Sequence, residues 1–148
     1  MRTIRARAVA VFIALAGSIL LTMSVTSGSA VAFFSGGLFL DVQVESPATL
    51  VARGAAVDVP LEITCNATGS ATVYVQVTQR SGSGIAEGFG YTSVGCTGSG
   101  QRVVVRVSAF SGGKSFKQGT AVADAEVFGC RPNICGSETD TEVITINR

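Results

Sequence analysis

From residue 38 onward, apolar and polar residues alternate along the chain with a period of two. In LFLDVQV, residues 38–44, leucine and valine take every second position, and Asp41 and Gln43 lie between them. The same alternation recurs in AAVDVPLEITC (55–65), ATVYVQVTQR (71–80), QRVVVRVSAF (101–110), GTAVADAEVFGC (119–130) and TEVITI (141–146). Because successive side chains of a strand point to opposite faces, this pattern predicts β-strands with one buried face. A weaker strand is predicted over residues 89–96, which makes seven.

Glycine- and serine-rich turns separate these strands, at NATGS, RSGSG, TGSG and SGGKS. Short strands at this spacing predict an all-β, Ig-like two-sheet sandwich of about seven antiparallel strands. Pro60 lies in the polar row of the second strand, so we expect a bulge or a sheet edge there. Phe89 and Tyr91 either flank a glycine-rich loop in the open or begin the fourth strand, and we favour burial in the core.

The first 32 residues have the three parts of a secretory signal peptide. The basic stretch MRTIRAR is followed by an apolar run, residues 8–23, and by small residues that end in AVA. An uncleaved membrane anchor is the alternative, although the apolar run is short for a transmembrane span. The predicted mature domain is residues 33–148, secreted and without stable membrane insertion after cleavage.

Composition narrows the classes of partner and of chemistry. All ten acidic residues but only eight of the eleven basic ones follow residue 32, so the predicted mature chain has a net charge of −2. That charge gives no reason to expect nucleic acid or an anionic membrane as partner. The chain has no histidine, which excludes Ser–His and Cys–His catalysis. We therefore predict a non-enzymatic protein without a cofactor or a bound metal.

All four cysteines lie in the predicted mature domain, at Cys65, Cys96, Cys130 and Cys135. An even number of cysteines in a small exported domain predicts two structural disulfides, because zinc and thioredoxin-type sites need closer spacing. In immunoglobulin strand order, all four cysteines fall at one pole. Cys65 and Cys96 then lie at the ends of neighbouring strands, and Cys130 and Cys135 face each other across a hairpin. A bridge between Cys65 and Cys130 is the competing arrangement.

Two resemblances follow from these segments. The export signal and GTAVADAEVFGC with its following cysteine resemble small secreted Ig-like proteins of actinomycete-type bacteria. The C-x4-C pair near the C-terminus resembles the neocarzinostatin-type enediyne apoproteins, which are secreted Ig-like sandwiches. The chain departs from the apoproteins because Cys65 and Cys96 lie 31 positions apart and tryptophan is absent. The resemblance therefore implies the fold and one disulfide, but not the chromophore site.

The hairpin tip between the last two cysteines is the first candidate interaction surface. It consists of Arg131, Pro132, Asn133 and Ile134. A disulfide and a proline both stiffen a short hairpin, which lowers the entropy lost on binding. The loop SGGKSFKQG is the second candidate, with a basic and aromatic tip formed by Lys114, Phe116 and Lys117.

Two charged patterns have structural interpretations. Glu138, Asp140 and Glu142 share one strand face, which is typical of a solvated sheet edge, and calcium binding is the alternative. Arg102 and Arg106 share another face and are predicted to pair with acidic residues on a neighbouring strand.

Together these patterns predict a secreted, non-catalytic binding or cell-envelope-associated module with an extracellular protein or cell-surface component as partner. The disulfide-stiffened pole is its expected interaction surface. The alternatives are a carrier of a small molecule and a secreted peptidase inhibitor that presents the hairpin tip.

The first prediction concerns the mature N-terminus. Signal peptidase is expected to cut after the AVA sequence, so the exported protein should begin at Phe33. N-terminal sequencing of the protein from culture medium measures this directly. A chain that still begins with Met1 would show a retained anchor.

Overall fold

A computed structural model describes residues 37–148, and the predicted signal peptide lies outside the described residues. The described residues form strands joined by short turns, with one single-turn 3-10 helix at Ala52–Gly54. The strands are β1 (Leu40–Val44), β2 (Ala48–Val51), β3 (Ala56–Cys65), β4 (Ser70–Ser81), β5 (Gly84–Gly95), β6 (Gln101–Ala109), β7 (Gly119–Arg131) and β8 (Ile134–Asn147). The prediction of an all-β chain is confirmed.

The strands pair into two groups that join at their edges. In one group, β3 pairs with β1 and β2 on one side and with β6 on the other. In the other group, β8, β7, β4 and β5 follow one another in antiparallel order. Short pairings between β5 and β6 and between β2 and β8 close the two groups into a barrel-like sandwich. Cys65 and Cys96 were predicted to lie at the ends of neighbouring strands. These strands are β3 and β6, and their antiparallel ladder confirms that they are neighbours.

The strand count differs from the prediction because β2 was missed. This strand has only four residues, ATLV, which is too short for an alternating pattern to be recognised. It pairs in parallel with β8 at Ala48 and Ile146, so the sandwich is not wholly antiparallel. The strand 89–96 was also predicted too short, because β5 begins at Gly84.

Pro60 lies within β3, which pairs with β6 on one side of it, and on its other side it faces the break between β1 and β2. Its backbone oxygen accepts a hydrogen bond of 2.9 Å from the N–H of Glu45. In a strand, the nitrogen and oxygen of one residue face the same neighbour, so the missing N–H of Pro60 points toward residues 45–47. There β1 has ended and β2 has not begun, so no ladder hydrogen bond is lost.

The core consists of the inward rows of these strands. The buried residues include Leu61 and Ile63 of β3, the valines of β4, Val105 and Val107 of β6, and the alanines of β7. The inward row of β7 consists of small alanines, at positions 121, 123 and 125, and all three are buried. Burial of these rows supplies most of the apolar surface that stabilises the fold.

Two ion pairs extend from the first group of strands. Arg106 pairs with a residue on the neighbouring strand, as predicted, whereas the partner of Arg102 lies just beyond the end of β1. Arg106 on β6 donates two hydrogen bonds of 2.8 Å to Asp58, its register partner on β3. Arg102 donates a bond of 2.7 Å to Glu45. The hydrogen bonds from Arg106 hold the pKa of Asp58 below its ordinary value. This pair therefore stabilises the fold above the ordinary carboxyl pKa and loses its effect as the pH falls through the lowered value.

β5 crosses directly over the backbone of β6 at two glycines. A Cβ atom on Gly90 would clash with the backbone oxygen of Arg106, and one on Gly88 would lie 2.5 Å from the backbone oxygen of Ser108. Because both glycines face inward, the residues between and after them, Phe89 and Tyr91, must face outward. The expectation that these two aromatic side chains lie in the core was therefore wrong.

The second prediction tests this crossing. Gly90→Ala should lower the free energy of unfolding by about 3 kcal/mol, because the added methyl group forces β5 away from β6. Gly95→Ala is the matched control, since a Cβ on Gly95 meets no atom within 4 Å and the residue lies in the same strand. Urea unfolding of both variants measures the difference. Equal stability of the two variants would contradict the close crossing.

Candidate functional site

Both disulfides form in the pairing favoured from the sequence, Cys65 with Cys96 and Cys130 with Cys135. The first joins the end of β3 to the β5–β6 turn, and the second joins register partners of the β7–β8 hairpin. The N–H of Thr68 donates to the backbone oxygen of Cys130, at 2.8 Å. The turn after β3 therefore contacts the β7–β8 hairpin directly, and all four cysteines lie at one end, which we name the cysteine pole.

The hairpin tip at the cysteine pole is a two-residue turn. Pro132 and Asn133 connect the register partners Arg131 and Ile134, and Asn133 has a φ of 70°. Proline followed by a residue at positive φ is the pattern of a type II turn. Arg131 donates a hydrogen bond of 3.0 Å to the backbone oxygen of Gly37, whereas Ile134 is half exposed. The tip is thus tied to the N-terminal segment and offers one apolar side chain to solvent.

Asn66 fixes the same N-terminal segment from the other side. Its side-chain oxygen accepts a bond of 2.7 Å from the N–H of Phe39, and its side-chain nitrogen donates to the oxygen of Gly37. The segment before β1 is therefore held between the β3–β4 turn and the hairpin tip.

The second predicted surface, the basic and aromatic loop, is not an exposed tip. Phe116 is 2% exposed and belongs to the core, so its assignment as an interaction residue was wrong. The amide of Gln79 accepts a bond of 2.7 Å from the N–H of Lys117 and donates one of 2.8 Å to its oxygen, which holds the loop against β4. Lys114 and Lys117 remain exposed.

The structure does not bring the two predicted surfaces together. The hydroxyl of Ser81 donates to the backbone oxygen of Ser115, so the lysine loop packs at the end of β4. Ser70, at the start of that twelve-residue strand, lies near the cysteines. Lys114 and Lys117 therefore lie at the opposite pole from the hairpin tip.

An exposed aromatic cluster on β4 and β5 was not predicted as a site. Tyr74, Phe89 and Tyr91 point outward, with ring centroids 6.1–6.3 Å apart and mutual tilts of 23°, 36° and 40°. Tyr91 is 70% exposed and Phe89 is 41% exposed. We name this cluster the aromatic face. The signal in the sequence is the stretch GFGY, where glycines alternate with aromatic residues.

Polar side chains of the neighbouring strands border the aromatic face. A groove of about 360 Å³ runs between them and is lined on its polar side by Gln76, Asp124, Glu126, Thr139 and Thr141. The hydroxyl of Thr141 donates a hydrogen bond of 2.7 Å to Asp124, which orients that carboxylate. The aromatic rings therefore lie beside a row of hydrogen-bonding side chains on the same sheet.

The acidic row of β8 does not form a metal site. In residues 37–148, no three side chains of the histidine, cysteine, aspartate and glutamate types are grouped closely enough to hold a metal ion. Asp140 instead accepts a bond of 2.7 Å from the N–H of Val44. This carboxylate replaces a backbone acceptor between β1 and β8.

Comparison with known proteins assigns no family. No family model matches the chain, and no curated protein matches it. Among solved structures, the chain is similar to AggA, the major subunit of aggregative adherence fimbriae type I from Escherichia coli. That likeness has a TM-score of 0.35 at 14% identity and covers 75% of this chain and 95% of AggA, which is too low to assign a fold family or a function.

The described part of the chain also contains no helix with the length and apolar character of a transmembrane span.

The third prediction separates the two disulfides by their contribution to stability. Removing the bridge over 31 residues, with Cys65→Ala and Cys96→Ala, should lower the free energy of unfolding by about 3.7 kcal/mol on the chain-entropy model. Removing the bridge over 5 residues, with Cys130→Ala and Cys135→Ala, should cost about 2 kcal/mol. Urea unfolding without reductant measures both. A larger loss for the short bridge would contradict this order.

Proposed function

We propose that the chain is an exported, non-catalytic binding domain with an Ig-like sandwich fold, whose ligand contacts the aromatic face. The observation that carries this proposal is the exposure of three neighbouring aromatic rings on two strands that pair along their whole length. Contiguous exposed apolar side chains are costly in solubility and mark interaction surfaces. When a ligand covers these rings, their apolar surface is removed from water, which favours binding.

The compartment is argued from the cysteines. Disulfides form and persist in oxidising compartments, and all four cysteines of the chain are paired. A signal peptide over residues 1–32 is the matching feature of the sequence. Both favour a protein that works outside the cytoplasm, in the medium or at the cell envelope.

The Ig-like assignment is supported by the order of the strands. β1, β3 and β6 correspond to strands A, B and E of that fold, and β4, β7 and β8 correspond to C, F and G. β5 differs from strand D of the seven-stranded form, since it pairs along its whole length with β4. That pairing is what widens the second sheet and displays Phe89 and Tyr91.

A non-catalytic role is favoured by the chemistry of the chain. Without histidine, the serine hydroxyls have no imidazole base, and the paired cysteines have no thiolate to act as nucleophile. The carboxylates Asp124 and Glu126 lie on an open face that does not exclude water, which is a poor setting for acid–base catalysis.

The hairpin tip remains a second candidate contact, because Ile134 is half exposed at a turn that a disulfide and a proline both stiffen. The geometry of the hairpin tip suits a small binding contact better than it suits the inhibitory loop of a peptidase inhibitor. Only two residues connect β7 and β8, so the tip offers no extended segment for a protease cleft. The carrier hypothesis is less favoured, since a groove of about 760 Å³ lies beside Phe116 and Lys117, at the pole opposite the cysteines.

The fourth prediction tests the aromatic face against the tip. The exported protein is mixed with isolated envelope fragments of the producing cell, and the bound fraction is measured after sedimentation. Truncating both exposed rings, with Phe89→Ala and Tyr91→Ala, should reduce the apparent affinity at least tenfold, because both apolar contacts are lost.

Phe110→Ala is the matched control, since this ring is half exposed and lies outside the aromatic face. It should bind like the native protein. Loss of binding in Ile134→Ala with full binding of the double variant would move the interaction surface to the hairpin tip and overturn the proposal. Unfolding midpoints of all variants confirm that the fold is intact.

A further inference from the structure

We infer that the aromatic face binds a neutral saccharide chain of the extracellular surroundings, with sugar rings stacked on the aromatic rings. This inference rests on the proposed function, because it names the ligand class of the same face. It is carried by the chemistry of the groove beside the rings and by the exclusion of other ligand classes.

The rings provide an apolar surface for the carbon–hydrogen face of a sugar. Tyr74 and Tyr91 are direct register partners on β4 and β5, and Phe89 is the diagonal neighbour. Their three centroids form a nearly equilateral triangle, with sides of 6.1, 6.3 and 6.3 Å. The negative faces of aromatic rings attract the weakly positive C–H groups that a pyranose presents on one side.

The polar row provides acceptors for sugar hydroxyls. Asp124, Glu126 and Gln76 line the groove within the same sheet as the rings. Hydrogen bonds from hydroxyls to carboxylates are charge-assisted and stronger than those between neutral groups. Asp124 is oriented for this in the free protein by the hydroxyl of Thr141, which reduces the ordering needed on binding.

A cation is a poorer match to this geometry. Aromatic cages hold quaternary ammonium groups between rings that surround them. Here the rings contact one another and no pair is tilted by more than 40°, so no space for a cation is left between them. A nucleic acid is excluded by charge, since Asp124 and Glu126 would face its phosphates without a compensating lysine or arginine in the groove lining.

A protein partner or a second copy is also disfavoured. The centres of protein interfaces are enriched in tyrosine and phenylalanine, as this face is, but they are depleted of aspartate and glutamate, and two carboxylates line this groove. In a symmetric dimer through this face, the same patch of both copies would meet. The carboxylates of Asp124 and Glu126 from both copies would then be enclosed in one interface with no lysine or arginine of the groove lining to pair with them, which is destabilising.

The composition of the chain provides a direct probe of this face. The chain has no tryptophan and only two tyrosines, Tyr74 and Tyr91, and both belong to the aromatic face. Intrinsic tyrosine fluorescence of the exported protein therefore reports on this face alone. The probes are neutral oligosaccharides of defined linkage, namely cellohexaose, chitohexaose, xylohexaose, maltohexaose and mannohexaose, each titrated into the native protein.

At least one of these oligosaccharides is expected to change the tyrosine emission saturably. Tyr91→Ala removes one ring of the aromatic face and should weaken the affinity about tenfold, with the change in emission read from Tyr74. Phe89→Ala and Asp124→Asn should each weaken the affinity about tenfold, the first by lost stacking and the second by a lost charge-assisted acceptor. Phe110→Ala should leave the affinity unchanged.

Three results would overturn the inference. The first is the absence of any fluorescence change with the neutral panel, while envelope binding still depends on Phe89 and Tyr91; the face would then bind another ligand and the proposed function would stand. The second is saturable binding of benzyltrimethylammonium in place of the oligosaccharides. The third is concentration-dependent dimerisation in sedimentation velocity that Phe89→Ala abolishes. Envelope binding that does not depend on the aromatic face would overturn the proposed function as well.

Discussion

The close crossing of β5 over β6 is the constraint on which the arrangement of this molecule depends. At Gly88 and Gly90, the backbones of the two strands approach so closely that no side chain fits between them. The crossing joins the two groups of strands, and it fixes which residues of β5 face the solvent. The ring of Phe116 lies next to Gly88, so part of the space that the missing side chain leaves is filled from the neighbouring loop.

The two ends of the sandwich are held by different interactions. At the cysteine pole, disulfides and the hydrogen bonds of Asn66 fix the turns and the segment before β1. At the other pole, no cysteine is present, and the loop before β7 is held by buried Phe116 and by the amide of Gln79. Between these fixed ends lies the outer face of β4, β5, β7 and β8, whose backbones are held together by continuous antiparallel ladders. A face of this kind presents side chains to a ligand with little loss of conformational entropy.

Prediction from the sequence succeeded where local chemistry decides the outcome. Period-two alternation identified β3, β4, β6 and β7, because a half-buried strand needs that pattern whatever its neighbours are. The disulfide pairing followed from the expected strand order. It failed for Phe89, Tyr91 and Phe116, which were assigned by the usual preference of aromatic residues and of loops. That preference is only an average. Here the backbone of β6 occupies the inward side of β5, so the aromatic side chains of β5 face the solvent, whereas Phe116 in a polar loop packs in the core.

The sequence by itself determined the class of fold, the number of covalent bridges and the absence of imidazole chemistry, because each follows from residue types and their spacing along one strand or hairpin. Only the tertiary structure decided that three rings separated by up to 17 positions meet on one exposed surface beside Asp124 and Glu126. The physical reason is that the face of a strand that points to solvent depends on which other strand packs against its opposite face. That neighbour comes from a distant part of the chain, and no local pattern specifies it.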